Sequence, residues 1–566
     1  MGSDTQTSLL HLDDDDAAAV VNGVVNYKAQ PAMRSKSGTW RSAWFVIGVE
    51  VGERFAHYGI LSNLITYLTG PLRLSTATAA ESINVWAGTA MLLPLVGAFI
   101  ADSYVGRYRT ILLASLVYIM GLGLLAVSAM VPSECQATSE SESCSPNLQV
   151  MLFFISLYMV AIGQGGQKPC IQAFGADQFD EHHPKECRDR SSFFNWCYFG
   201  MCTGILLSLL TLNYVKDNIS WALGFAIPCL VMTIGLLVFL LGTKTYRFNN
   251  IKGNDKKSPF FRIGRVFAAA IRNRRISLSD ITFHDHEETC TIIPHPCSKQ
   301  SNFLHKALLT PQGSKEEACS LNEVEEAEAV LRLIPIWAIC LIFGVVFAQV
   351  PTFFTKQGAS MDRTIFPGFD LPAASFQSLV YLTIVIVSPI YDRIFVPAVR
   401  SITKKPSGIT MLQRIGTGLL FTMMTTVIAA LVEMKRLKIA REYGVVDDPN
   451  ATVPMSVWWL IPQYLLFGIA EVFTAVGLQE FFYDQVPLVL KSMGPALYYS
   501  IFGLGSFLSS FLISMIEDIT GKDGQNSWFA NNINQAHLDY FYWLLAVLSI
   551  MELVLFIFLA KSYVYN

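Results

Sequence analysis

The chain has 566 residues, 52% of them apolar and 15% charged, with a net charge of −3 and a pI near 6.3. Its apolar residues gather into long blocks, which suits a lipid bilayer and not a soluble core. The near-neutral balance, with no basic stripe interleaved by aromatics, argues against a nucleic-acid partner, and no nucleophile set, metal-ligand set or nucleotide loop points to an enzyme or a bound cofactor.

Residues 1–40 read as a polar N-terminal tail that contains the acidic run Asp13 to Asp16 and no stretch of signal-peptide character. The first span is therefore expected to act as its own insertion signal. Six spans follow at about 44–67, 83–101, 110–130, 148–174, 193–213 and 221–242, and six more at about 331–355, 375–395, 411–434, 455–477, 492–516 and 540–560. This pattern predicts an all-α membrane protein of twelve transmembrane helices in two six-helix bundles, residues 41–242 and 331–560, with a route between them. Residues 243–330 form the predicted linker and residues 561–566 a short C-terminal tail.

Placing the termini in the cytoplasm puts 23 Lys and Arg in the five loops on that side, the linker among them, against 9 in the six opposite loops, so cytoplasmic N- and C-termini are predicted. On the other side lie Cys135 and Cys144, a candidate disulfide for an oxidising compartment, and the sequons at Asn218 and Asn450, candidate glycosylation sites. The linker opens with a basic amphipathic stretch at 260–276, expected to lie along the membrane or across the two bundles. His284, His286, Cys290, His295 and Cys297 follow at spacings that match no strong zinc template, so no metal is predicted.

Within the first span, Glu50, Glu53, Arg54 and His57 are separated by three, four and seven residues and share one helical stripe. A charge at bilayer depth costs about 2.5–3.5 kcal/mol even on insertion scales, so such groups need partners and a cavity, and they mark a proton or ion pathway. Arg54 is expected to pair with Glu50 or Glu53, leaving a carboxylate free to exchange a proton; the bland alternative is a static ion pair locking two helices. Lys168, in Gly163-Gln-Gly-Gly-Gln-Lys-Pro169, is placed to attract a carboxylate or other anion, and Glu471 is the sole acid of its span and a candidate partner for Lys168. His57 is a candidate proton relay. Tyr67, Phe347 and Gln349 are candidate cavity-lining residues. The turns at 97–110 and 174–180, with Arg188, Asp189 and Arg190 beyond, suit charge networks at helix ends, and Thr110 reads either as a helix-start residue or as a kinase target behind Arg107.

These residues resemble the proton-dependent oligopeptide transporter family of the major facilitator superfamily, in its plant nitrate and peptide transporter branch. Glu50-Val-Gly-Glu53-Arg54 is similar to the E-x-x-E-R motif of that family, and the turns at 97–110 and 174–180 and the run at 189–200 resemble the superfamily and the branch. The resemblance spans nearly the whole chain from about Arg41 to Val564. It implies a symporter that accumulates a small solute with protons by alternating access, with Glu50, Glu53 and Arg54 in proton coupling and Lys168 acting with them or with Glu471. Tyr198 stands where peptide-carrying members often have Asn, and Phe347 stands near the position of a nitrate-binding His, which a phenyl ring cannot replace as a charged donor. The implied substrate is a small anionic or zwitterionic solute, whether organic metabolite, hormone, peptide or nitrate, with the proton as coupling ion. The implied location is the plasma or vacuolar membrane, with the chain functional as a monomer and able to form oligomers. Passive facilitation of the same solutes and solute sensing without transport are the alternatives.

Overall fold

In a computed structural model of the chain, the described residues are 20–131, 147–180, 183–249, 259–274, 303–308, 319–367, 369–403, 409–449, 451–486, 493–521 and 527–563. Cys135, Cys144, Asn450 and the His and Cys residues at 284–297 lie outside them. The chain forms two compact units, Met1–Ser62 with Leu93–Asn254, and Asn63–Leu92 with Asp255–Asn566.

Nearly all regular structure is helical. The long helices are α1 (Thr39–Leu61), α2 (Thr76–Ile100), α3 (Arg107–Ser128), α4 (Asn147–Ala176), α5 (Pro184–Asn218), α6 (Trp221–Leu241), the amphipathic α7 (Pro259–Arg272), α8 (Leu321–Ile339) with α9 (Leu341–Phe347), α10 (Ser378–Ile390), α11 (Met411–Glu442), α12 (Ile461–Gln485), α13 (Met493–Thr520) and α14 (Leu538–Ser562). Among the described residues, ten helices are long and apolar enough to cross a membrane, and an eleventh span is bent by 43° between Leu321–Ile339 and Leu341–Ala359. The first helix fails the same apolar test because every 18-residue stretch of its 23 residues contains Glu50, Glu53 and Arg54. The set is consistent with twelve spans.

Several ends differ from the sequence reading. The first span stops at Leu61 and Tyr67 falls on a separate short helix, Leu64–Thr69. The seventh starts early, at Leu321, because Ser320 and Glu323 form a reciprocal capping box, and it breaks at Cys340. The ninth runs past the apolar stretch to Glu442, since polar side chains on that turn are buried against one another.

In the first unit, one end is closed by the N-terminal segment. Strands β1 (Val20–Val25), β2 (Pro31–Met33) and β3 (Phe248–Asn249) make an antiparallel sheet in the order β2-β1-β3. Gly38, at φ +76°, lets its N–H reach Thr245 O at 2.8 Å where a side chain would strike the Arg247 guanidinium. Arg247 is buried; it donates to Glu186 Oε2 at 2.7 Å and to the Gln178 and Ser37 carbonyls at 3.1 Å. Arg34 bridges Asp180 and Glu186 at 2.8 Å each. The 174–180 turn expected to carry a charge network is thus docked residue by residue: Phe174 and Phe179 in apolar clusters, Asp177 on Arg107 at 2.7 Å, Gln178 on the Arg247 backbone and Asp180 on Arg34. Thr110 is buried in the first turn of α3, where its hydroxyl donates back to Gly106 O at 3.0 Å.

In the second unit, α7 buries Val266 and Ala270 against Leu304, Ala307 and the start of α8 at Val324 and Ala327, and Arg265 pairs with Glu323. The linker helix therefore packs one face on the start of the seventh span. At the far end of α11, Glu433 and Arg436 are fully buried and pair at 2.6 Å. Gln357 donates to Glu433 at 2.8 Å, and Arg436 donates to Asn534 Oδ1 at 2.7 Å and Ile533 O at 2.8 Å.

Burial would raise the Glu186 carboxyl, but hydrogen bonds from Arg247 and the Asp180 N–H, with the charges of Arg247 and Arg34, hold it below its usual value of 4.5. A carboxyl depressed on folding stabilises the fold above its unfolded value and loses that contribution as pH falls through the folded value. Thermal unfolding in detergent should therefore show Arg247→Met destabilised by about 3 kcal/mol at neutral pH, with the gap to the parent narrowing below about pH 4 as Glu186 is protonated in both. An equal gap at pH 7 and pH 3.5 would contradict this account.

Candidate functional site

The stripe on α1 works as a buried charge cluster because α4 and α5 close over it. Gly204 of α5 permits the approach: a Cβ there would lie 2.6 Å from the Val51 carbonyl of α1, one residue from Glu50. Glu50 and Glu53 are fully buried, Arg54 and His57 nearly so, and Lys168 is 9% exposed.

The four charged groups are chained. Arg54 donates to Glu50 Oε1 from Nε at 3.2 Å and Nη2 at 3.1 Å, and its Nε lies 3.5 Å from Glu53 Oε2. Lys168 Nζ approaches Glu53 Oε1 at 3.8 Å, an ion pair too long to be a hydrogen bond. Gln172 donates to Glu50 Oε1 at 3.2 Å. Two carboxylates and two cations balance, so the ionised quartet carries no net charge in a site with little solvent. The balance is electrostatic and poorly bonded: among the described residues both Glu53 oxygens, Glu50 Oε2 and Lys168 Nζ lack a hydrogen-bond partner. One turn along α1, Gln164 uses its two amide hydrogens on His57 Nδ1 at 2.8 Å and Tyr118 OH at 2.9 Å, with Nδ1 as acceptor.

Sequence reasoning named Glu50, Glu53, Arg54, His57 and Lys168, and all five meet here. It missed Gln164 and Gln172, although both sit four residues from Lys168 on the same helical face, the offset that defined the α1 stripe. Tyr118 gave no local signal. Tyr198 is 45% exposed, whereas its neighbour Cys197 is buried within electrostatic reach of Glu50 and Arg54. Asn218 is exposed at the end of α5 with its amide turned back to Tyr214 O at 3.1 Å.

The remaining candidates belong to the second unit. Glu471 is half-buried on α12 and carries no ion pair among the described residues. Phe347 packs on Phe502 and Phe467, with ring centroids 4.9 and 6.3 Å away. Gln349 is buried, and its amide donates to Val345 O at 2.6 Å and Ser509 Oγ at 3.0 Å. Tyr67 is buried on its short helix.

The pattern of the POT family (PTR2) matches residues 108–529 of the chain. In Arabidopsis thaliana, the protein NRT1/PTR FAMILY 5.10 is 61% identical over 540 residues, covering 95% of this chain and 96% of its own, and NRT1/PTR FAMILY 5.12 is 55% identical over 562 residues, covering 98% of each. Among solved structures, an auto inhibited POT family peptide transporter aligns with a TM-score of 0.71 at 21% identity, over 93% of this chain and 98% of its own. The in meso structure of the POT family transporter PepTSo gives 0.69 at 21% identity, over 92% and 98%. Those two likenesses speak to the fold alone. With the charged stripe of the first span, the helical count and the extent of these matches taken together, the chain belongs to the POT family, as a membrane transporter of its NRT1/PTR branch.

Proposed function

We propose that the protein is a proton-coupled symporter of a small anionic or zwitterionic solute, working by alternating access. The observation that carries this reading is the loose Lys168–Glu53 contact at 3.8 Å within a desolvated, electrically balanced quartet. Net charge is costly in such a site, whereas zero net charge is tolerated. Adding one proton to Glu53 leaves a positive excess on Lys168 and Arg54, and an anionic group on the solute restores the balance. Losing the proton returns Lys168 to Glu53 and displaces that group. Proton and anion are thereby linked, each raising the affinity for the other by the same factor. Glu50, held by Arg54 and Gln172, orients the guanidinium and keeps Arg54 from taking over the role of Lys168.

On the solute side, Phe347 supplies an apolar ring and no donor, which favours an organic anion or zwitterion over bare nitrate at that position. Cytoplasmic termini, which the loop charges favour, and a plasma or vacuolar membrane are part of the same proposal. So is function as a monomer.

The test uses proteoliposomes of the full chain, offered nitrate, a dipeptide and aromatic and aliphatic organic acids, with an imposed pH gradient and an internal pH dye. At least one solute should accumulate only with the gradient and acidify the lumen as it enters. Equilibration without accumulation across the whole panel would favour a passive facilitator, and binding without flux a sensor.

Glu53→Gln fixes that side chain in its uncharged form and so holds the site in the proton-loaded state, with the positive excess on Lys168 and Arg54. It should still exchange labelled for unlabelled solute across the membrane but lose gradient-driven accumulation by at least about tenfold, which corresponds to about 1.4 kcal/mol of coupling. Undiminished accumulation would remove Glu53 from the coupling step. Lys168→Gln should instead raise KM by at least about tenfold with the melting temperature little changed; a loss confined to folded yield would make Lys168 structural.

A further inference from the structure

The seventh span breaks where nothing in its own sequence can cap the break. Cys340 ends α8 and precedes α9, and it offers no side-chain cap to the N–H groups that a new helix leaves open. A side-chain oxygen at the position before a helix normally accepts from its second or third N–H. Here the third N–H, that of Phe343, donates at 3.1 Å to Glu552 Oε1 from α14. Glu552 is only 2% exposed near the middle of the last span, and its Oε2 has no hydrogen-bond partner among the described residues. The charged or titratable group recorded in electrostatic contact with it is the buried Cys340 thiol across the bend.

The half-helix so capped is also held closely on another side. A Cβ on Gly344 would lie 2.5 Å from the Ile501 carbonyl of α13, and its own Cα packs against Gly505. A small rotation of α9 is therefore opposed on one side by backbone contact and tethered on the other by one carboxyl. This half-helix ends at Phe347, and Gln349 follows directly. A carboxyl buried in a span, bonded to the backbone of a neighbouring span at its bend, is more than helix cohesion requires.

We propose that Glu552 is a positioning residue for transport: as an N-cap supplied from another helix, it fixes the bend of the seventh span and so sets where Phe347 and Gln349 stand. The inference rests on the transporter reading for its consequence but not for its geometry. The role requires an acceptor and not a charge, so an amide of equal length fulfils it.

Hydrogen exchange on the full chain in lipid nanodiscs, with no solute and no gradient, tests the geometry by itself. In the peptide covering residues 339–350, the parent and Glu552→Gln should exchange alike, while Glu552→Leu should exchange at least about tenfold faster. Glu552→Asn, which keeps polarity and loses reach, should follow the Leu variant and serves where Leu impairs folding. Equal exchange in all variants, or fast exchange in the Gln variant, would overturn the cap. In the proteoliposome assay, using the panel solute that the parent accumulates, Glu552→Asn should raise KM by at least fivefold and Glu552→Gln by less than twofold. An unchanged KM with a lower maximal rate in the Asn variant would overturn the positioning role while leaving the symport reading intact. Failure of the parent to accumulate any solute would strike that reading alone, with exchange still deciding the cap.

Discussion

Burying two carboxylates, a guanidinium and an ammonium beside one another is the constraint around which the first unit is organised. None of the four is tolerable alone at membrane depth, and together they are neutral. That requirement fixes the face α1 presents to α4, the close approach of α5 at Gly204 and the amide of Gln172, which donates to Glu50. The same three charges keep α1 from reading as an ordinary membrane span, which is a measure of how far the local hydropathy is overruled by the partners.

The second unit contains a charge pair of the opposite character. Glu433 and Arg436 spend almost every polar atom on fixed partners: both Glu433 oxygens accept hydrogen bonds, and Arg436 also reaches Asn534 and the Ile533 carbonyl. A pair saturated in this way locks helix ends. The Glu53–Lys168 contact is buried to the same degree but has no hydrogen bond between its partners, so the energetic barrier to rearranging it is lower.

Much of this was legible in the chain. Offsets of three, four and seven placed the stripe on one face of α1; the single lysine of the fourth span was read as a partner for Glu471, with the stripe as the alternative that the family resemblance implied, and it is Glu53 that it approaches. The acidic and basic turns at 97–110 and 174–180 were read as helix-end networks, which is what Arg107–Asp177 and Arg34–Asp180 make. Gln164 and Gln172 were overlooked because uncharged amides carry no hydropathy signal strong enough to stand out beside Lys168. Glu433 and Arg436 were overlooked because they lie at and just past the end of the apolar stretch, where charge ordinarily means solvent. The break at Cys340 was not read from the chain: Pro335 and Gly344 stand five and four residues from it, and the side-chain acceptor comes from Glu552, 209 positions from Phe343.

By itself the sequence determined that the chain is a bundle of membrane helices and where the stripe of ionisable groups lies, because hydropathy and helical periodicity act over a few turns and need no partner; the family was legible through the resemblance of its motifs. Only the tertiary structure decided which carboxylate faces Lys168, that Cys197 and not Tyr198 turns toward the charges, and that Glu552 completes the seventh span. Those outcomes depend on distances between helices far apart in the chain, and hydrogen bonds and ion pairs lose their meaning beyond a few ångströms.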